Sequence, residues 1–193
     1  MISMDLLLNN IEQRVSLTTK DKKTISEKFR KKSFKRKEVI VEAGEISKHM
    51  YFVTKGCLRA FYTDKNGFEH VVNFAVEDWW IGDFGFHDQS AATLTIETLE
   101  NSEVLYIDKN GMDSLYEEVS VLDRYFRIIL QKALEAQFQR IMQINSFSAE
   151  ERYVAFSKKY PQFDKRIPQK YLASYLGITP EFLSRLKKDL LKH

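Results

Sequence analysis

The chain has 193 residues, 44% of them hydrophobic and 30% charged, a size that fits one domain or two small ones. Fourteen Phe, nine Tyr and two Trp beside seven Gly and three Pro exclude a disordered, collagen-like or low-complexity chain. The net charge is only +3, and the single cysteine, Cys57, excludes an internal disulfide, a cysteine-ligated zinc site and an iron–sulfur cluster, each of which needs several such ligands.

Near the N-terminus Leu6-Leu7-Leu8 follows Asp5, with no basic stretch before it and no apolar run long enough for export or for crossing a bilayer. A cytoplasmic protein with no membrane partner is expected. The basic run Lys28, Arg30, Lys31, Lys32, Lys35, Arg36 and Lys37 reads as a solvated face, the usual fate of such runs.

Across residues 38–107, β-branched and aromatic residues are punctuated by turn signals at Ala43-Gly44, Lys55-Gly56, Asn66-Gly67 and Ile81-Gly82. Short strands without long intervening helices follow, as a barrel or sandwich. Leu58, Ala60 and Tyr62 alternate with Arg59 and Phe61, and Asp64-Lys65-Asn66-Gly67 reverses the chain into residues 70–76, which predicts a hairpin. A second hairpin is expected from residues 92–98 across Asn101-Ser102 to residues 103–107.

The period changes near Gly111, and residues 117–144 run without Gly or Pro as one long helix. Leu122, Phe126, Ile129, Ala133 and Ala136 recur at helical spacing, and Leu130, Leu134, Phe138 and Ile141 form an adjacent stripe. One stripe can pack on the chain's own barrel and the other on a partner helix; burial of both within one subunit is the alternative. The first stripe, whose small Ala133 and Ala136 favour close helix approach, is the expected dimer interface.

Ser148-Ala149-Glu150-Glu151 has the form of a capping box opening another helix, which Pro161 bounds near Tyr160. The expected division is therefore a barrel over 1–116, a long helix over 117–145 and a small helical domain over 146–193. Residues 1–145 carry 20 Lys and Arg against 22 Asp and Glu, whereas residues 146–193 carry 10 against 5. This local basic excess suits a polyanionic partner.

Residues 169–188 fit a helix-turn-helix. Leu172, Leu176, Ile178, Leu183 and Leu186 fall where two helices face each other and the core, Ala173 sits where they cross, and Gly177 supplies a left-handed stop to the first helix. Thr179 can cap the second helix and Pro180 can occupy its first position, where a missing N–H costs nothing. In such a motif the N-terminal end of the second helix enters the major groove, so Thr179, Glu181, Phe182, Ser184 and Arg185 are candidates for base edges. Arg185 can pair with guanine and Glu181 can accept from cytosine N4. Gln169 joins them as a candidate, and Lys170, Lys187 and Lys188 suit phosphates.

A short-stranded barrel, a long helix and a C-terminal helix-turn-helix together resemble the cyclic-AMP receptor protein/FNR (Crp/Fnr) family of bacterial transcription regulators over nearly the whole chain. Three segments carry the likeness locally: Tyr51-Phe52-Val53-Thr54-Lys55-Gly56; Ile81-Gly82-Asp83-Phe84-Gly85, similar to the family's phosphate-binding cassette; and Pro180-Glu181-Phe182-Leu183-Ser184-Arg185, where the family's recognition helix usually reads Arg-Glu-x-x-x-Arg. The resemblance implies an α+β fold with an N-terminal jelly-roll barrel (double-stranded β-helix), a dimerisation helix and a winged-helix-like C-terminal domain. It also implies a homodimer on a pseudo-palindromic double-stranded DNA site, RNA polymerase as a partner and a small-molecule effector, with Gly82, Asp83, Ser90 and Thr93 as pocket candidates.

Three departures bear on that expectation. Pro180 replaces the first Arg of the recognition helix, so the family's favoured half-site does not carry over. The family's cyclic-nucleotide binders hold the cyclic phosphate through an Arg followed by Ser or Thr and Ala. Here the stretch reads Gln89-Ser90-Ala91-Ala92-Thr93, and between Arg59 and Lys109 the only Lys or Arg is Lys65, so nothing balances a buried phosphate charge. The effector is expected to be something other than cyclic AMP, or sensing has been lost; a cyclic-nucleotide-responsive regulator with an altered cassette is the alternative. Finally, the sequence runs only to His193, so the family's wing is expected to be missing, with Lys187, Lys188 and Lys192 partly substituting at phosphates.

Other classes fit less well. His49, His70 and His87 are isolated and lack the spacing of a haem or cupin-type metal site, and no Gly-x-Ser-x-Gly elbow or Gly-rich loop followed by Lys is present. Neither an enzyme nor a bound metal is expected. A helical tail that binds protein would predict salt-insensitive association, which the C-terminal basic excess opposes.

Overall fold

A computed structural model of the chain describes residues 2–190, with Ile2 and Asp164 described by backbone alone; Lys192 lies outside the described residues. The chain forms two compact units, one of residues 1–60 with 74–132 and the other of residues 61–73 with 133 onward.

In the first unit, helices α1 (Ile2–Glu12) and α2 (Thr19–Lys28) precede the strands. Thr18 and Asp21 open α2 as a reciprocal cap, the Thr18 hydroxyl accepting the Asp21 N–H at 3.1 Å and the Asp21 carboxylate accepting the Thr18 N–H at 2.8 Å. The strands are β1 (Arg30–Phe34), β2 (Val39–Val41), β3 (His49–Lys55), β4 (Leu58–Thr63), β5 (Glu69–Ala75), β6 (Trp80–Ile81), β7 (Thr95–Thr98) and β8 (Ser102–Asp108). They make two four-stranded sheets, in the orders β1-β8-β3-β6 and β2-β7-β4-β5. All eight strands contribute to one apolar cluster: Phe34, Val41, Tyr51 with Val53, Leu58 with Ala60, Ala75, Ile81, Ile96 and Val104. The sheets therefore form a sandwich around it.

The first expected hairpin is present. β4 and β5 are neighbours, and Asp64 ties the turn, its carboxylate accepting the N–H groups of Asn66 at 2.8 Å and Phe68 at 3.0 Å. The second is not a hairpin: β7 lies between β2 and β4, whereas β8 lies between β1 and β3 in the other sheet. The reversal at Asn101-Ser102 carries the chain across the sandwich, because alternation sets which face a side chain takes and not which strand is its neighbour. β7 also starts at Thr95 rather than Ala92, since the N–H groups of Thr93 and Leu94 go to Asp83 and that of Ala92 goes to the Glu45 carbonyl. At the β3–β4 corner Gly56 has φ +103°, and a Cβ there would stand 2.2 Å from Ser102 Oγ, so the Lys55-Gly56 turn requires glycine.

Helix α3 (Lys109–Glu118) is separated from α4 (Val121–Ser146) at Val119-Ser120, which divides the helix expected to run unbroken from residue 117. Buried Val119 caps α3 with its N–H on the Leu115 carbonyl, a break made without Gly or Pro. A second apolar cluster joins Leu7 and Ile11 of α1, Ile25 of α2, Phe52, Leu105, Leu115, Leu122 and Tyr125. Inside it the Trp80 indole N–H donates to the Tyr125 hydroxyl at 2.7 Å, which donates to Asn10 Oδ1 at 2.6 Å, and the Asn10 amide donates to the Asp78 carbonyl at 3.0 Å. Burial pushes the Tyr125 phenol up to about 12.

The long helix places the first part of the expected dimer stripe in the chain's own core. Leu122 is buried in this cluster, and Phe126 and Ile129 pack against it, with the Phe126 ring 5.3 Å from that of Trp80 and 5.5 Å from that of Tyr116. The first stripe thus starts in the chain's own core, Ala133 being exposed and Ala136 half-buried farther along. Leu130, Leu134, Phe138 and Ile141 of the second stripe are 52–61% exposed. The two stripes are similarly apolar, and the neighbouring aromatic rings, distant in sequence, select the one that packs inward.

The second unit contains the far half of α4, α5 (Ala149–Lys159), α6 (Phe163–Arg166), α7 (Gln169–Leu176) and α8 (Pro180–Leu190). The Ser148–Glu151 capping box is present at the start of α5, with hydrogen bonds of 2.7 and 3.2 Å. Tyr153, Phe156, Phe163, Ile167, Leu172, Ala173, Leu176, Leu183 and Leu186 are buried. The residues of the β4–β5 turn belong to this unit. Ser174 Oγ accepts the Val71 N–H at 2.9 Å and donates to the Glu69 carbonyl at 3.2 Å, while the Arg140 guanidinium donates to the carbonyls of Val72 at 2.8 Å and Tyr175 at 3.0 Å.

Candidate nucleic-acid interface and effector loop

The helix-turn-helix forms as the spacing predicts. α7 stops at Gly177, which takes φ +68° and ψ +39°, and its N–H and that of Ile178 close on the carbonyls of Ser174 at 3.2 Å and Ala173 at 3.1 Å. Thr179 Oγ1 accepts the Phe182 N–H at 3.2 Å, and Pro180 is the first residue of α8. Leu172, Ala173 and Leu176 of α7 and Leu183 and Leu186 of α8 are buried.

At about 100° per residue, that apolar seam leaves Glu181, Arg185 and Lys188 on one outward arc of α8, with Phe182 and Ser184 at its two flanks. Thr179, Glu181, Phe182, Arg185 and Lys188 are exposed and Ser184 is half-buried. The Arg185 guanidinium carbon stands 5.8 Å from the centre of the Phe182 ring. Lys170 is exposed at the start of α7 with its ammonium 4.6 Å from the Tyr171 ring centre, and the Lys187 ammonium lies 5.3 Å from that of Tyr153. Gln169 takes a bracing position: its side-chain amide donates to the Pro180 carbonyl at 3.3 Å, which links the first turns of the two helices.

The effector-pocket candidates gather in one loop that is closed by its own side chains. Asp83 is 2% exposed. Its Oδ1 accepts the Gly85 N–H at 2.8 Å, and its Oδ2 accepts the N–H and hydroxyl of Thr93, both at 3.1 Å, and the Leu94 N–H at 3.0 Å. The Asp83 carboxylate, a pocket candidate by resemblance, thus clasps the loop, and the Thr93 hydroxyl donates to it. Ser90 is exposed and its hydroxyl donates to Asp88 at 2.7 Å, while Gly82 lies against Met50, whose sulfur a Cβ would meet at 2.3 Å. Gln89 donates its amide to the carbonyls of Ser47 at 3.1 Å and Phe86 at 2.7 Å.

An ion pair that sequence reasoning missed lies in the same sheet as β7. Arg59 of β4 meets Glu97 of β7 at 2.6 and 2.7 Å, with the Arg59 side chain 3% exposed. Leu58 and Ala60 belong to the sandwich core, so Arg59 between them takes the opposite face and puts no cation inside the sandwich. Period-two alternation with a charge at one step was the available signal. Among the described residues no group of three or more His, Cys, Asp or Glu could hold a metal ion, and no helix is long and apolar enough to cross a membrane.

Residues 31–119 match the family model of the cyclic nucleotide-binding domain. In sequence the chain is similar to electron transport regulator A of Shewanella oneidensis, 25% identical over 168 residues that cover 81% of this chain and 67% of the relative. It is also similar to the anaerobic regulatory protein of Haemophilus influenzae, 24% identical over 168 residues that cover 81% of this chain and 65% of the relative. The chain therefore spans about two thirds of the length of these relatives. The fold is shared with FixK2 from Bradyrhizobium japonicum, at a TM-score of 0.71 and 17% identity over 85% of each chain.

The chain thus combines a β-sandwich of the cyclic nucleotide-binding type with a long helix and C-terminal helices, a fold it shares with FixK2. Over residues 31–119 the chain is similar to the cyclic nucleotide-binding domain, and over 81% of its length it is similar in sequence to bacterial regulatory proteins.

Proposed function

We propose that this chain is a cytoplasmic, homodimeric, sequence-specific DNA-binding transcription regulator whose N-terminal sandwich senses a small molecule other than cyclic AMP or has become a scaffold for the dimer. The observation that carries this reading is the helix-turn-helix itself: a left-handed stop at Gly177, a capped second helix, and Glu181 and Arg185 exposed on one arc of it. Arg185 pairs with guanine and Glu181 accepts from cytosine, while Lys170 and Lys188 hold phosphates and confer salt dependence. RNA polymerase is the expected protein partner.

The dimer forms through Leu130, Leu134, Phe138 and Ile141 of α4, the stripe exposed in the single chain. Two recognition helices about 34 Å apart then read a two-fold symmetric site. The match of residues 31–119 to the cyclic nucleotide-binding domain favours one second reading, a regulator that responds to a cyclic nucleotide through an altered cassette. Against it stand the closed clasp of Asp83 and the amide of Gln89 where the family's binders place a cation.

The test is selection of bound fragments from sheared genomic DNA at about 0.15 M salt, with Arg185→Ala as control and with repeats in the presence of cyclic nucleotides and of cell extract. One two-fold symmetric motif, lost in the control, is expected. Absence of any enriched motif in all three conditions overturns the proposal.

A further inference from the structure

We propose that Phe182 is a specificity-determining residue that reads the methyl group of a thymine beside the base pair contacted by Arg185. The inference rests on the DNA-binding reading above and goes beyond it by assigning a base. The other large apolar side chains in the first two turns of α8 are in the core, Leu183 fully so and Leu186 nearly so, yet Phe182 is 40% exposed. A large ring left in water on the groove-entering turn of a recognition helix forgoes burial that a partner can restore.

The surroundings identify that partner by its chemistry. Glu181 precedes the ring on the same turn, Arg185 lies one turn on with its guanidinium carbon 5.8 Å from the ring centre, and Lys188 follows on the same arc. An apolar protein surface docked on Phe182 would have to strip water from these charges without pairing them, which is costly. A major groove meets both needs, since it offers acceptors to Arg185 and a donor to Glu181, and thymine alone among the bases presents a methyl group there. The Thr179 hydroxyl accepts the Phe182 backbone N–H at 3.2 Å, so the helix cap fixes the backbone from which the ring projects. Guanidinium and ring stand close enough for cation–π attraction, which couples the two contacts to neighbouring base pairs.

The experiment uses the site selected by the full chain and replaces each thymine of one half-site, one at a time, by deoxyuridine, which removes only the methyl group. For the wild-type chain one position per half-site is expected to lose about fourfold in affinity, the value of one buried carbon group. Phe182→Ala should bind the thymine and deoxyuridine sites equally, while Phe182→Tyr, which keeps the ring, should retain the preference. Specific binding in which no deoxyuridine weakens the wild type, or in which the preference survives in Phe182→Ala, overturns this inference and leaves the DNA-binding reading intact. Failure to obtain a specific site at all overturns both. Phe182 lies outside the buried seam, so circular dichroism of the variants is expected to match the wild type.

Discussion

The Asp83 carboxylate is tied to Thr93, one oxygen accepting both the backbone N–H and the hydroxyl of that residue at 3.1 Å. With Gly85 and Leu94 also donating to it, a buried carboxylate organises both ends of this loop. Asp83→Ala strands these donors and is expected to cost about 2–4 kcal/mol in urea unfolding, at roughly 1–3 kcal/mol per unsatisfied buried group. Asp83→Asn, which keeps one acceptor oxygen, should cost less.

The turn between α7 and α8 depends on backbone conformation alone. Gly177 has φ +68° and nothing within 4 Å of the place a Cβ would take, so Gly177→Ala meets no clash and pays only for the left-handed backbone. The expected loss is about 1 kcal/mol, and Gly177→Asn should lose less because Asn tolerates this region. Thermal unfolding of the three chains checks the order.

His49 has its pKa lowered from the ordinary value of 6.5, first by burial, with Lys32, Lys48 and Arg30 adding to the effect and Asp108 opposing it. The native chain favours neutral imidazole, so as pH falls the unfolded state takes up the proton first. Stability is therefore expected to decline as pH drops below about 6.5 and to level off below the lowered midpoint. NMR titration of the His49 ring should show a midpoint under that of a free histidine, and the acid decline from this group should disappear in His49→Gln.

Exposed Leu134 and Phe138 lie one turn apart on the free stripe of α4. Charge at both, as in Leu134→Glu with Phe138→Glu, is expected to yield a monomer by light scattering at micromolar concentration with unchanged helix content. Ala133→Leu, on the stripe first expected at the interface, should leave the dimer in place.

What could be read from the sequence follows from how local each constraint is. The helix-turn-helix was legible in full because Ala173, Gly177, Thr179 and Pro180 act within a few residues of their partners, as did the Ser148 capping box and the Asp64 turn. The two α4 stripes were legible as stripes, but the choice between them rests on Trp80 and Tyr116, whose positions come from the sandwich. For the same reason the strand partners of β7 and β8 stayed hidden. Asp83 stood out in the sequence, but its partners did not, since Thr93 and Leu94 reach it only after the loop folds back. Arg140 carried no signal at all: its carbonyl partners at Val72 and Tyr175 are 68 and 35 residues away.

The most direct single measurement is hydroxyl-radical footprinting of the full chain on its selected DNA. The proposed dimer predicts two protected segments related by two-fold symmetry, with centres one helical turn or about 34 Å apart, both lost in Arg185→Ala. A single protected half-site, or protection that Arg185→Ala leaves unchanged, would contradict it.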